Sequence, residues 1–588
     1  MDRLIVVDLG GQYAHLIANR LRRLGFLADI SQDILVDAGS ADVKGIILSG
    51  GPSSVYEDGV PDIPEKIFEL GKPILGLCYG HQLIAHKLGG KVNPGETKEY
   101  GLANIATKPS ALFSGLDSDQ VVWMSHGDTI GVLPLNFRII ASSEDCVTAA
   151  MENTDKKIYG LQFHPEVNHT ENGMKILENF GNICNCKKEW DSENYFNQIS
   201  EQIRIHAKDR KIFLLVSGGV DSVVLFTLLN KVLGKHRVFG MHVDNGLMRL
   251  DESRNVITEL TNNGFDNLEL IDARSLFHAA LKGVVDPEEK REIIGSLFID
   301  VISVKSDAIL SSDEWLVAQG TIYPDTIETQ GTENAALIKT HHNRVPKMQE
   351  LIDQGKVIEP LSHLYKDEVR LLGKKIGMHP DIIGRHPFPG PGLGVRILCN
   401  DQSEPDLSSL NDSLRKIEAS AFVIPIKSVG VQGDNRTYRH PALVPFSKDW
   451  DKLEKLSTKI TNNIQEINRV VMIVKQMKCA FRLLKRTITE DRIQLLQQAD
   501  SLVTQIITRA GYYDKIWQMP VVLAPLSIQG GETIILRPVD SQEAMTANFS
   551  KLPLALVNKL GEELLKIEGV DAVFYDITNK PPGTIEWE

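Results

Sequence analysis

Short apolar runs recur along this chain, each followed by small residues and then by apolar positions three and four apart. Leu4–Asp8 reads as a strand and His15–Leu24 as an amphipathic helix. Gly45–Leu48 and Pro73–Leu77 read as further strands, the first ending in Ser49-Gly50-Gly51-Pro52 and the second in Cys78. This rhythm of strand, helix and strand predicts an open, mostly parallel sheet, with functional residues at the carboxyl ends of its strands. After a polar, helical stretch, Glu189–Lys208, the rhythm restarts. Leu214-Leu215-Val216 begins a buried parallel strand. Ser217, Gly218 and Gly219 make a tight turn, and Asp221 and Ser222 open a helix over Val223–Leu233. Val238–Val243 is another strand and ends in Asp244-Asn245-Gly246, a tight turn whose carboxylate suits ribose hydroxyls or Mg²⁺ as well as a plain turn. Arg385–Gly394 breaks the rhythm, because it is too rich in Pro and Gly for regular structure.

Length and composition narrow the class. At 588 residues the chain has room for three or four domains of roughly 150–200 residues. With 42% hydrophobic and 24% charged residues, its composition is that of a soluble protein. A net charge of −13 argues against nonspecific nucleic-acid binding. No apolar run approaches the ~20 residues of a membrane span, and the N-terminus goes directly into a strand pattern with no secretory signal. The six cysteines, at 78, 146, 184, 186, 399 and 479, form neither a disulfide framework nor a paired zinc motif. A cytoplasmic enzyme with small-molecule substrates, no nucleic acid and no membrane partner is expected.

Cys78 lies in Gly76-Leu77-Cys78-Tyr79-Gly80-His81-Gln82. Small residues two before and two after it, with a helix pattern following, give a nucleophile elbow with Cys in place of Ser. A helix N-terminus favours the thiolate, which is the reactive form. A buried packing cysteine is the commoner fate of a lone Cys, and the flanking glycines weigh against it. The base and its orienter come from Tyr159-Gly160-Leu161-Gln162-Phe163-His164-Pro165-Glu166, where a strand ends at His164 and Glu166 stands two residues on. Together these motifs resemble the class I glutamine amidotransferases over about Met1 to Cys186. The resemblance implies Cys78 as nucleophile, His164 as general base and acid, and Glu166 as orienter, acting on the side-chain amide of glutamine. It implies the N–H groups of Gly51 and Tyr79 as oxyanion donors. Gln82 and Asp128, the latter in Ser125-His126-Gly127-Asp128, match the region that holds glutamine.

The turn at Ser217–Ser222 is an anion cradle, with unpaired N–H groups at a helix start and glycine allowing close approach. It lacks the Gly-Lys-Ser/Thr of the usual P-loop. It resembles the loop of the ATP pyrophosphatases, which cleave between the α and β phosphates. That resemblance implies Ser217, Gly218, Gly219, Val220, Asp221, Ser222 and Val223 as the ATP loop, Asp221 as a Mg²⁺ ligand, and Lys366 of Leu364–Arg370 as a lid lysine. A solvated lysine is the plain alternative for Lys366. His341 and His342 in Lys339–Asn343 are adjacent and point apart, so a shared metal is not expected. With the Pro387–Gly394 loop and the closing Asn579-Lys580-Pro581-Pro582-Gly583-Thr584-Ile585-Glu586-Trp587-Glu588, the whole chain resembles the glutamine-hydrolysing GMP synthetases. This implies XMP, ATP and glutamine as substrates, with Arg291, Asp434, Arg436, Gln518, Lys580 and Glu586 at the XMP.

The fold expected is α/β: a class I amidotransferase domain (1–187), an ATP pyrophosphatase domain of the adenine-nucleotide alpha-hydrolase kind (188–398), and an α+β C-terminal region in two modules (399–510 and 511–588). Val423–Ile426 recurs in character as Leu523–Leu526, Gly430 as Gly530, and Asn468–Met472 as Val570–Phe574. A dimer folded into one chain is the reading this suggests, so a monomer is sufficient; a homodimer is the alternative. The rival functions are a pyrophosphatase–amidotransferase acting on another carbonyl acceptor, and a catalytically dead binding protein on the same scaffold. The intact Cys78, His164, Glu166 and Ser217–Ser222 oppose the second.

Overall fold

The apolar runs of the first 161 residues become the strands of one sheet in the computed structural model. The structure describes every residue except 12, 32–33, 58, 311, 324, 326–350, 433–434, 475–480 and 542–546. It divides into two compact units, Met1–Ile199 and Ser200–Glu588.

In the first unit the strands are β1 (Arg3–Val7), β2 (Leu27–Ser31), β3 (Val43–Leu48), β4 (Ile74–Leu77), β5 (Lys91–Thr107), β6 (Asp119–Val132), β7 (Arg138–Ser142), β8 (Ala150–Asn153) and β9 (Ile158–Leu161). Their order is β2-β1-β3-β4-β9-β8-β7-β5-β6. The first five are parallel, as the rhythm predicts. The remainder join antiparallel, through hairpins that the strand–helix pattern does not announce. The inner parallel strands β1, β3, β4 and β9 are largely buried between two core clusters, while the edge strand β2 is partly exposed. Trp190 still packs on this unit: its N–H donates to Gly25 O at 2.9 Å, and the Arg22 guanidinium lies 5.0 Å from its ring. The compact unit thus includes Trp190.

The second unit holds a five-stranded parallel sheet, ordered β12-β11-β10-β13-β14. Its strands are β10 (Lys211–Leu215), β11 (Val238–Asp244), β12 (Leu268–Asp272), β13 (Trp315–Ala318) and β14 (Val357–Ile358). The chain winds one way from β10 to β12 and then restarts at β13 on the other side of β10. The carboxyl end of β10 is thus the switch point where such sheets take ligands.

The C-terminal half contains β15 (Phe422–Val423), β16 (Ser428–Gln432), β17 (Asn435–Val444), β18 (Ile467–Ile473), β19 (Arg482–Leu483), β20 (Val521–Ala524), β21 (Leu526–Ser527), β22 (Glu532–Leu536), β23 (Val539–Asp540), β24 (Asn548–Phe549) and β25 (Val570–Asp576). The main sheet runs β15-β17-β18-β25-β22-β20, with β16 paired to β17. This order is a repeat about its own centre. β17 and β18 are parallel, as are β22 and β25, and each pair is joined through a helix, Trp450–Asn463 or Leu554–Leu564. Even the irregularities match. His440 faces Ile467 and Pro441 faces Arg469, skipping Asn468; Glu532 faces Val570 and Thr533 faces Ala572, skipping Asp571. In the antiparallel centre, Met472 faces Tyr575, and the flanking pairs Val471–Asp576 and Ile473–Phe574 exchange across it. The register aligns Asn468 with Asp571, which shifts the sequence-based match of Asn468 to Val570 by one residue. No helix among the described residues is long and apolar enough to cross a membrane.

Candidate active site

Cys78 joins β4 to the helix Tyr79–Lys87 with φ +51° and ψ −104°, a left-handed backbone that non-glycine residues rarely adopt. The glycines of the elbow have steric reasons. A Cβ on Gly76 would meet Gly80 O at 2.4 Å, and one on Gly80 would meet Leu48 O at 2.5 Å. The Cys78 N–H donates to Leu161 O at 2.7 Å, fixing the elbow beside the end of β9. Three residues later, His164 Nδ1 stands 2.7 Å from Glu166 Oε1, and both side chains are buried. Burial pulls the imidazole down, but the Glu166 carboxylate and a hydrogen bond with Cys78 outweigh it and hold His164 well above its ordinary value. The sequence thus brings together a thiol, an imidazole and a carboxylate in one buried chain of contacts.

Around them, Gln82 Nε2 donates to Asp128 O at 3.0 Å and to Gln162 Oε1 at 3.1 Å. The Asp128 carboxylate accepts from Ser54 Oγ at 2.5 Å and Tyr56 OH at 2.9 Å. Gly51 lies against Tyr79: a Cβ there would meet Leu9 O at 2.6 Å and the Tyr79 ring at 3.3 Å.

In the second unit, the turn after β10 leads into the helix Val220–Leu233, which is buried nearly all round. Gly218 has φ +86°, and Gly219 N donates to Ser217 Oγ at 3.3 Å. Ser222 Oγ lies 3.1 Å from Ser217 Oγ and donates to Gly219 O at 3.0 Å. Asp221, in the first turn of the helix, has one oxygen buried without a hydrogen-bond partner, while its other oxygen accepts from Lys366 Nζ. Val223, in the first turn of the same helix, is buried. At the end of β11, Asp244 Oδ1 accepts from Gly246 N at 2.9 Å, closing the turn read from the sequence.

The C-terminal stretch crosses the first repeat. Val429 N donates to Trp587 O at 2.9 Å, Val431 N to Pro582 O at 2.7 Å, and Gly430 bridges Gly583. Trp587 is fully buried, and its Nε1 donates to Asp576 Oδ2 at 3.0 Å. Glu586 receives a two-point bond from Arg396, at 2.8 and 2.9 Å, and a third from Gln518 Nε2 at 3.1 Å. Arg291 bonds Glu288 Oε1 at 2.9 Å and the Glu588 carbonyl. The backbone of Lys580 pairs with Ala547. Arg436 pairs with Val431 in the hairpin of β16 and β17. Asp434 lies outside the described residues, as do Lys339–Asn343 with His341 and His342.

Comparison with known proteins agrees with this division of sites. The model of the class-I glutamine amidotransferases matches residues 5–184, and that of the GMP synthase C-terminal domain matches 408–480 and 505–587. A probable glutamine-hydrolysing GMP synthase of Leptospira interrogans is 45% identical over 100% of this chain and 99% of its own. The glutamine-hydrolysing GMP synthases of Caldanaerobacter subterraneus and Lactobacillus acidophilus are each 36% identical over 100% of this chain and at least 98% of theirs. The chain belongs to the glutamine-hydrolysing GMP synthase family. A GMP synthase chain takes ATP as substrate, which accords with a glycine turn at the switch point of a parallel sheet.

Several GMP synthase residues escape a reading of the sequence. Gln162, fully buried, donates from Nε2 to Cys78 Sγ at 3.7 Å and fixes Gln82 through its oxygen. Arg20 donates from Nε to Glu166 O at 3.0 Å, 146 positions away. His242, buried within β11, bonds Val216 O at 2.6 Å and Ser253 Oγ at 2.9 Å, and so braces the turn after β10. Only Gln162 had a local signal, its place two residues before His164.

Proposed function

We propose that this chain carries out the whole family reaction, XMP, ATP, glutamine and water giving GMP, AMP, pyrophosphate and glutamate, with the following division of labour. The thiolate of Cys78 attacks the amide carbon of glutamine, forming a thioester as the C–N bond breaks. His164, held by Glu166, gives its proton to the departing ammonia and later takes one from the water that releases glutamate. The N–H groups of Gly51 and Tyr79 serve the oxyanion, where one such donor is worth about 3 kcal/mol. Gln82 and Asp128 line the glutamine. The observation that carries the reading is the buried pair of His164 and Glu166, 2.7 Å apart, beside a left-handed Cys78 elbow.

In the second unit, the C2 oxygen of XMP attacks the α-phosphate of ATP, and pyrophosphate leaves into the turn Ser217–Val223. Ammonia then adds at C2, and AMP departs with the former C2 oxygen. Asp221 fits a Mg²⁺ ligand, since a buried carboxylate oxygen without a hydrogen-bond partner suits a cation. Bound there, the ion would offset phosphate charge; Lys366 would do the same from the helix side. Arg291, Asp434, Arg436, Gln518, Lys580 and Glu586 are assigned to XMP. The divisions 1–187, 188–398, 399–510 and 511–588 are assigned to glutamine, ATP, and the two C-terminal modules. The two-fold register of the C-terminal sheet supports an internal pairing that makes a monomer sufficient. The cytoplasm, where these soluble substrates meet, is the proposed location.

Pyrophosphate release from ATP with XMP, and with other carbonyl acceptors in its place, tests the reading. XMP-dependent release together with GMP is expected. Release driven by a different acceptor would instead favour the rival pyrophosphatase. Light scattering tests the pairing, and an obligate dimer without an active monomer would defeat it.

A further inference from the structure

Arg396 follows the Pro/Gly loop and is fully buried. Its Nε and Nη2 donate to the two oxygens of Glu586 at 2.9 and 2.8 Å. Its guanidinium lies 5.0 Å from the ring centroid of Phe388, within the Pro/Gly loop, and Arg249 lies 4.4 Å from the same ring. Its carbonyl accepts from Leu523 N of β20 at 2.8 Å. The Arg396 side chain therefore joins the Pro/Gly loop to the closing stretch of the chain, while its backbone ties the same point to the second C-terminal repeat. The exposure of the pair is unequal. The Arg396 side chain is 1% exposed and that of Glu586 is 20% exposed, so the Glu586 side chain is partly open while the guanidinium that holds it is sealed.

Burying such a pair contributes little to stability, since desolvation offsets most of the attraction. What a two-point guanidinium–carboxylate pair does provide is a fixed carboxylate plane. We propose that Arg396 is a positioning residue for XMP, locking the Glu586 carboxylate in its ligand-facing orientation and tying that orientation to the Pro/Gly loop through Phe388. This rests on the assignment of Glu586 to XMP.

Ammonia-driven GMP formation by the full chain, with XMP and ATP varied separately, is the test. Arg396→Lys keeps the buried charge but cannot bond both oxygens in one plane. It should raise the KM for XMP about tenfold, the loss of roughly one charge-assisted hydrogen bond, and leave kcat and the KM for ATP within about twofold. Added to Glu586→Gln, it should cost nothing further. Equal changes for ATP and XMP, an unchanged KM for XMP, or full additivity with Glu586→Gln would each overturn the proposal. Glu586→Gln alone reports on the underlying assignment: an unchanged KM for XMP there removes Glu586 from the site whatever Arg396→Lys does. Phe388→Leu keeps the ion pair and decides the matter if Arg396→Lys does not fold by circular dichroism. A rise of about threefold in the KM for XMP alone supports the link, and no rise overturns it.

Discussion

The glutamine site and the nucleotide turn are built on opposite plans. In the first, Cys78, His164, Glu166, Gln82 and Gln162 already contact one another in a buried network. In the second, Asp221 keeps a buried oxygen without a hydrogen-bond partner and lends the other to Lys366. Acyl transfer needs charge stabilised by groups the protein itself supplies, so those groups can be fixed in advance. Phosphoryl chemistry draws much of its charge balance from groups that arrive with the substrate, and such a site stays open until they come. The C-terminal repeats differ from each other in what occupies the equivalent place. In the first repeat the hairpin of β16 and β17 receives the closing stretch that carries Glu586. In the second, the Asp571 carboxylate accepts from Ser527 Oγ and from the N–H groups of Ile528, Gln529 and Gly531, so that loop is filled by the protein's own anion.

If the two plans are separable, single substitutions should silence one and spare the other. The largest effect is expected from Cys78→Ala. Glutamine-dependent GMP formation should fall by about 10³-fold or more, while formation from free ammonia persists. Loss of both activities would show that the sites are not independent. Asp221→Asn should act in the reverse sense, lowering XMP-dependent pyrophosphate release by about 10²-fold while glutamine hydrolysis measured alone survives.

The closed site also makes a prediction about pH. Burial lowers the His164 value, but Glu166 and Cys78 raise it well above the ordinary ~6.5. A group raised in the folded state contributes stability that is complete below its unfolded value and is lost as pH rises through its folded value. Glu166→Gln removes the main source of that rise. The alkaline limb of kcat/KM for glutamine should therefore move to lower pH by one unit or more, and the rate at neutral pH should drop by about tenfold to 10²-fold. An unmoved limb would mean that Glu166 does not set the charge on His164.

How much of this was legible depended on how local the determinants are. The elbow is written in consecutive residues, because both glycines that flank Cys78, Gly76 and Gly80, stand where a Cβ would strike a backbone oxygen. The turn at Ser217–Ser222 and its helix are local in the same way, and so was their placement. Arg20 and Arg396 carry no such mark. Their partners, Glu166 and Glu586, stand 146 and 190 positions away, and a lone arginine in a sequence looks the same whether exposed or sealed. The antiparallel strands β5 to β8 escaped because hairpins follow no strand–helix rhythm. The repeat was visible in Val423–Ile426 and Leu523–Leu526. Its third strand slipped by one residue because a bulge at Asn468 and Asp571 cannot be counted from hydrophobic character.

That bulge gives the mildest test, of the contrast between the two repeats. Asn468 and Asp571 are equivalent in register, yet Asn468 bonds Ser428 through a neutral amide, accepting from its Oγ at 2.9 Å and donating to its carbonyl at 2.7 Å. Asp571 instead gathers four donors on one carboxylate oxygen. Burial would raise that carboxyl, but the N–H groups of Gln529 and Ile528, with Ser527 and Gly531, hold it below its ordinary value. Its contribution is therefore present above the unfolded value near 3.9 and is lost as pH falls through the lower folded value. Asp571→Asn should keep one acceptor and lose the charge, at a cost of about 1 kcal/mol confined to the loop. Hydrogen exchange at neutral pH is the local measure. The amides of Ile528, Gln529 and Gly531 should exchange about fivefold faster, with those of β18 unchanged. Asn468→Asp, which puts the charge in the first repeat where the closing stretch already sits, should speed exchange around Val429 and Val431 instead. If both substitutions leave their own loops as slow as before, the charge on Asp571 and its absence at Asn468 do not set the stability of either loop.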